Sequence, residues 1–465
     1  MGTGPILPTL VTLALPAATA GITQTLFEVV DVWFISQLGK AQISGTSLVG
    51  PWLFTMFAIA QAVNVGISAL LSRRLGQKRP DLAREVLNHG MLLALAVGSL
   101  FTIISFAFIH QILAYLGGDS QIIVHAGAYA SIVFAGIFFM YIGSAADSAL
   151  RAQGNTVTPM KISITANVLN IFLDWLLIWQ LGYGVRGAAI ATVIGRAGMA
   201  IALVSRLWSR HSEVRPGVAP GQPFVWRWPV VGQLYWLGAP ASVGMGAMSV
   251  SIIFINKLLV GMNAYAIGML GIAFRIEMFA FTPVFGLFSA VVPMVGYNLG
   301  AKLYHRCART IWSAATLAGA GMAVLGAVIF IFPRVFFGLF SQDPELLPMG
   351  VEYLRIQMPV YPIIGLSIMM SAGYQGLGLS WLGMLSQLWR NLVLKLPCAY
   401  WFAAVWGLTG IWWSFPVSTA CSAGIFVTIM YIVLRRLKRS ASQEPPEPDG
   451  RLHQQAAPSP AGSAN

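Results

Sequence analysis

Apolar stretches of about 20 residues or more recur along almost the whole chain, and no other feature limits the fold so severely. Such a stretch matches the hydrocarbon core of a bilayer when it is helical. In lipid, every backbone N–H and C=O must find its partner within the segment. The chain is therefore predicted to be all-α and integral to a membrane. The spans fall at about 8–35, 46–72, 89–115, 124–147, 159–181 and 187–208, then 231–261, 266–296, 308–333, 349–372, 380–404 and 409–434. That makes twelve crossings.

Charge agrees with this reading. Only 9% of the 465 residues are charged, against about 25% in a soluble domain. The net charge of +13 lies mostly in short loops beside the spans, which sets orientation in a membrane and does not suggest nucleic-acid binding. Arg73, Arg74, Lys78, Arg79 and Arg84 follow span 2, Lys302, Arg306 and Arg309 follow span 8, and Arg435, Arg436, Lys438 and Arg439 follow span 12. The alternate loops hold Lys40, Asp119, Arg186 and the mixed stretch with Arg334, Asp343 and Glu345. Basic loops face the cytoplasm, so both termini are predicted to be cytoplasmic, in a bacterial inner membrane. Residues 1–208 form an N-lobe and 231–437 a C-lobe. The polar stretch 209–230, with Arg210, Arg215 and Arg227, links them. Residues 438–465 read as a disordered tail.

Several classes of function drop out. No GxxxxGK[ST] loop is present to hold ATP, and there is no HExxH, CxxC or GxSxG. Cys307, Cys398 and Cys421 have neither disulfide nor metal-ligand spacing. The expectation is no enzyme, no cofactor and no metal centre, in a monomer with no cleaved signal.

The halves repeat. Pro16 and Pro240, Gly76 and Gly300, Tyr129 and Tyr353, Gly154 and Gly378, and Asn167 and Asn391 all stand at one offset, 300 − 76 = 224. Six spans per half is even, so both halves insert the same way round, as a parallel repeat about an axis along the membrane normal. Two such bundles around a central cavity form a natural alternating-access carrier. The polar residues within the spans are not repeated: the same offset carries Asp31 to Ile255, Asn170 to Leu394 and Asp174 to Cys398. Duties such as helix packing would be shared, so a one-sided pair of acids suggests one ion site in one half. Glu28 and Asp31 share a helix face, as do Asn170 and Asp174. Glu28 either joins the site or faces water near the end of its span.

Further stretches then become specific: Leu-Ala-Leu-Pro at 13–16 with Asp31 beyond it, Ser-Ala-Leu-Leu-Ser-Arg-Arg-Leu-Gly at 68–76 and Leu-Arg-Ala-Gln-Gly-Asn-Thr at 150–156. Asn-Ile-Phe-Leu-Asp at 170–174 and Phe-Arg-Ile-Glu at 274–277 complete the set. The chain resembles the multidrug and toxic compound extrusion (MATE) transporters, in particular their DNA-damage-inducible, DinF-like branch. The resemblance implies export of cationic or amphipathic small molecules by cation antiport. It also implies an N-lobe cation site of Asp31, Tyr129, Asn170, Asp174 and Thr192. The other large branch carries acids in spans 7 and 10. Here Asn256 and Lys257 stand in span 7, so a C-lobe site of that kind is not expected.

Two facing carboxylates in a low-dielectric lobe cannot both ionise cheaply, and such a pair titrates as a unit. That suits proton coupling. Asp31, Asn170, Asp174 and Thr192 also offer oxygens that would hold sodium. Pro16 removes a backbone hydrogen bond inside span 1 and marks a kink or hinge. Glu277 lies two residues from Arg275 and is read either as half of an internal salt bridge or as an attractor of cationic cargo. Arg196, Arg390 and Lys395 would snorkel or pair. They also keep open a second reading, a lipid-linked oligosaccharide flippase gripping pyrophosphate. A receptor or channel without coupled transport fits the repeat and the one-sided acids less well.

Overall fold

The computed structural model describes residues 1–116, 120–210, 212–217, 224–263 and 265–443. Among these residues the regular structure is helical throughout, with no strand. Eleven stretches are long and apolar enough to cross a membrane. The last, Ser380–Arg439, folds at Gly407 (φ 62°, ψ −138°) into two helices. The chain is thus a multi-pass membrane protein with the twelve crossings its sequence predicts. We number them α1 (Ile6–Ser36), α2 (Lys40–Gly76), α3 (Pro80–Ala107), α4 (Ser120–Ala152), α5 (Val157–Gln180) and α6 (Gly184–Trp208). Then come α7 (Trp228–Val260), α8 (Tyr265–Gly300), α9 (Tyr304–Ile331), α10 (Leu346–Gly376), α11 (380–406) and α12 (408–443).

Some boundaries differ from expectation. Lys40, assigned to a loop, opens α2, and α7 begins at Trp228, inside the expected linker. Pro229 sits in the first turn of α7, where its missing N–H leaves no bond unmade. The final helix runs to Gln443, beyond the expected end of the lobe at 437. Asp119 and tail residues 444–465 lie outside the described residues.

The backbone carries the repeat as clearly as the sequence does. Lys78 (φ 55°) and Lys302 (φ 58°) are the non-glycine residues with positive φ among those described, and they are repeat mates. Gly154 (φ 84°) and Gly378 (φ 79°) are another such pair. Each of these four residues ends a helix in the left-handed region. Beyond them the register drifts by one: the positive-φ glycines Gly182 and Gly407 are 407 − 182 = 225 apart. Asp174 then corresponds to Cys398 or Ala399, and neither is an acid.

α1–α6 pack together as one lobe, with α4 against α2, α3 and α6. α7–α12 form the other, with α9 on α10 and α7 on α11. The lobes meet where α1 lies on α8 and α2 on α7 and α8. Glycines make that seam close. A Cβ on Gly76 would strike the carbonyl of Tyr297, and one on Gly300 would strike that of Arg73. The 224-residue offset exchanges these two contacts exactly as a two-fold axis would. Ser72 and Gly296, themselves mates, face each other across the axis. Further along, Gly66 abuts Leu234 and Gly238 abuts Ala62. The tight approaches thus crowd into the half of the bundle nearest the basic loops.

Candidate functional site

Three helices of the N-lobe bring the expected residues to one place, and α1 brings the fourth side. α5 supplies Asn167, Asn170 and Asp174 from successive turns, all buried, Asp174 fully so. α6 supplies Thr192, α4 supplies Tyr129 and α1 supplies Asp31. Gly195 lets α6 and α5 approach, since a Cβ there would lie 2.9 Å from Asn170 Nδ2. Directly after Asp174 the helix widens into a π-helical segment, Trp175–Gln180. Such segments are rare and often occur at functional sites.

The carboxyl groups of Asp31 and Asp174 lie within hydrogen-bonding reach of each other. Yet Asp31 Oδ1, both oxygens of Asp174 and Asn170 Oδ1 are buried with no donor in the protein. Two carboxylates cannot bond to each other, because neither donates; one shared proton would satisfy both. The Thr192 hydroxyl donates to the Ala188 carbonyl (3.0 Å), which leaves its lone pairs to accept, and the Tyr129 hydroxyl lies within reach of it. An aromatic plug lies on the far side. Trp179, from the π segment, packs edge-on to Trp33 (5.4 Å) and Phe34 (4.9 Å), on the last turns of α1. The site is a cluster of buried, unpaired acceptors. It has the hard oxygen ligands a proton or a sodium ion would take, and no cluster of three or more acids, histidines or cysteines among the described residues.

Glu28 stands at the rim. It is exposed, accepts from Gln24 (3.2 Å) and lies within electrostatic range of Asp31. Sequence reasoning named Arg196 only as a residue that would snorkel or pair and did not place it at this site. It follows Thr192 by one turn on the same face of α6 and lies within electrostatic range of Asp31, Glu28 and Tyr129. Its Nη1 is buried without a partner, packed over Gly136 of α4. The i,i+4 spacing from Thr192 was the available signal. Pro16 lies inside α1, which continues as one helix through it. It sits beside Ala18 and Gly21, which touch Gly286 and Thr282 of the other lobe.

One expectation in the C-lobe fails. Arg275 and Glu277 form no salt bridge. Two residues apart on a helix they point to opposite sides, with Arg275 exposed and Glu277 buried. Glu277 instead accepts from Tyr353 (2.9 Å), the repeat mate of Tyr129. Lys395 donates to Asn391 (2.8 Å) and lies over the Phe415 ring, while Arg390 donates to Gln387 (2.6 Å).

Comparison with known proteins fits this architecture. A family profile described as MatE matches residues 16–176 and again 240–401, opening at repeat mates Pro16 and Pro240. The multidrug export protein MepA of Staphylococcus aureus (strain NCTC 8325 / PS 47) is 23% identical over 440 residues, covering 94% of this chain and 96% of MepA. MepA of Staphylococcus haemolyticus (strain JCSC1435) is 24% identical over 425 residues, covering 91% and 93%. In overall fold the chain is similar to a MOP superfamily transporter from Pyrococcus furiosus Vc1, described as having a binding pocket of reverse polarity that suggests a different function. That match has a TM-score of 0.89, 24% identity, and coverage of 94% and 97%. It is equally similar to a MATE crystallised in a bent conformation (TM-score 0.89, 23% identity, 95% and 98% covered). With the family profile matching both halves of its repeat, the chain belongs to the MatE family, the multidrug and toxic compound extrusion transporters.

Proposed function

We propose that the protein is a secondary active exporter of cationic or amphipathic small molecules, powered by protons entering through the Asp31–Asp174 pair. The observation that carries this reading is the set of unpaired, buried acceptors at Asp31, Asn170 and Asp174. A buried polar atom without a partner costs roughly 1–3 kcal/mol, so such a cluster belongs to a site whose ligand comes and goes. Proton binding joins the two aspartates, and proton release parts them. Two carboxylates within hydrogen-bonding reach suit one shared proton better than a sodium ion, which would have to part them; with Arg196 beside them the groups then sum to zero charge, leaving none to hold a further cation. The name of the MepA relatives supports drugs as cargo.

The seam near the basic loops opens and recloses as the cycle proceeds, with α1 flexing at Pro16. Both termini face the cytoplasm of a bacterial inner membrane, and one chain holds both lobes, so a monomer suffices. One charge crossing about 100 mV supplies ~2.3 kcal/mol, on the order of 50-fold accumulation, so a single site drives useful export. The flippase reading is weaker because Arg390 and Lys395 are bonded to Gln387 and Asn391.

The test is ethidium efflux from proteoliposomes with pH and sodium gradients imposed separately. Efflux should follow the pH gradient, rise as the outside is acidified and vanish with a protonophore. Arg196→Gln should add a sodium response. Efflux by the native protein that follows sodium alone would overturn proton coupling.

A further inference from the structure

On one flank of the seam, where α2 meets α7, lies a groove of about 630 Å³. Arg73 and Arg74 of α2, with Gln77 just past its end, form one wall; Gln233, Trp236 and Leu237 of α7 form the other. The groove therefore joins the two lobes. Its polar character is cationic, and no carboxylate lines it. Arg74 spans it, donating to Gln77 (3.1 Å) within its own lobe and to Gln233 (3.3 Å) of the other. Its Nε remains buried and unpartnered. Arg73 has no polar partner among the described residues. The acids nearby in the chain are already engaged, Asp81 with Arg79 and Glu85 with Arg227.

Depth adds a second constraint. Trp228, Tyr235 and Trp236 project from the first turns of α7 and are more than 60% exposed. Exposed Trp and Tyr at a helix end mark the headgroup level of a bilayer. The two arginines thus sit at headgroup depth, above an apolar wall of Trp236, Leu237 and Leu70.

The repeat supplies a control within the molecule. The mates of Arg73 and Trp236 are Tyr297 and Thr12, on the opposite flank. There the chain covers itself. Gly2 lies against the Tyr297 ring, and Arg306 donates to the Gly4 carbonyl (2.8 Å). The segment leading into α7 turns away instead. Arg227 N–H donates to His89 Nε2 (2.9 Å) on α3, with Phe224 and Trp226 against the same ring. Among the described residues, one flank is closed by protein and its mate is left open, with Arg73 exposed and Arg74 half-buried along it.

We propose that this groove binds the phosphate headgroup of an anionic phospholipid, which bridges α2 and α7 and holds the lobes together at the basic end. Two guanidinium groups grip phosphate oxygens through charge-assisted bonds, and the acyl chains lie along Trp236 and Leu237. Separating the lobes takes one wall away, so the lipid stabilises the closed seam by its preference for it. The effect on transport rests on the alternating-access reading above; the binding itself does not.

The test uses the full chain in phosphatidylcholine nanodiscs with and without phosphatidylglycerol. Native mass spectrometry should find phosphatidylglycerol retained, and spin labels at Lys78→Cys and Lys302→Cys should shift to the shorter lobe separation when it is present. Arg73→Gln with Arg74→Gln should weaken retention at least about tenfold, the scale of a lost charge-assisted contact. Arg73→Lys with Arg74→Lys should keep most of it, and Arg84→Gln, outside the groove, should change nothing. Retention that survives the double Gln variant overturns the site. An equal shift from inorganic phosphate in phosphatidylcholine discs overturns the lipid assignment, and an unchanged label distance overturns the bridging. Loss of proton-driven efflux in the native protein would instead sink the transport reading and leave these binding results intact.

Discussion

The two lobes share a scaffold and differ inside it. Tyr129 and Tyr353 are mates, and each ends at its lobe's buried polar centre. Tyr353 donates to Glu277, and the neighbouring Lys395 and Arg390 have amide partners. The charged groups of that centre are answered by protein. Around Tyr129, Asp31 Oδ1, both oxygens of Asp174 and one nitrogen of Arg196 are not. Each centre also borders a π-helical segment, 175–180 beside Asp174 and 389–394 beside Lys395. One helical device thus borders a centre whose charged groups are paired in one lobe and one whose charged groups are not in the other. A paired buried charge is structure; an unpaired one is a vacancy for a mobile partner.

The sharpest way to break this comparison is to remove the N-lobe acids. Asp31→Asn or Asp174→Asn should each reduce gradient-driven efflux by at least about tenfold, since either leaves the proton with one carboxylate. Normal expression and unfolding temperature should persist. Efflux within twofold of native for both would refute the N-lobe as the powered half.

Next in size is a test of the seam, where the lobes are alike. Gly76→Val and Gly300→Val each push a side chain into the opposite lobe's carbonyl, at a cost of roughly 1–3 kcal/mol. Being mates, they should lower efflux and shift lobe separation equally. A large effect from one and none from the other would show that the seam is less symmetric than its backbone.

In the C-lobe, Glu277→Ala strands the Tyr353 hydroxyl, for roughly 1–3 kcal/mol of stability. The unfolding midpoint should fall while efflux per folded molecule changes little. Abolished efflux with an unchanged midpoint would mean that Glu277 belongs to the transport machinery. The smallest effect is expected from Pro16→Ala. Turnover should drop a few-fold at most, because α1 already runs through this position as a helix.

Much of this was legible in the sequence. Membrane spans announce themselves because lipid forbids alternatives, and the repeat survives as Pro16/Pro240 and Gly76/Gly300. The glycine pair sits where the opposite lobe's backbone leaves no room for a Cβ. The acids were legible because charge within a span is costly. Arg196 was not, because a lone arginine in a span has several harmless explanations until its neighbours on three other helices are placed. The salt-bridge reading of Glu277 failed for the opposite reason. Its partner is 76 residues away in the chain, and the nearer Arg275 offered a pairing that helical geometry forbids.

The exchanged glycine contacts at the seam carry one last consequence. Two separate copies of a six-helix chain could build the same interface, but every residue would then occur twice, and an acid pair in one bundle would force a second in the other. Joined in a single polypeptide, the bundles keep matched surfaces while their interiors are free to specialise. Division of labour between engine and support needs that freedom, and a symmetric dimer could not have it.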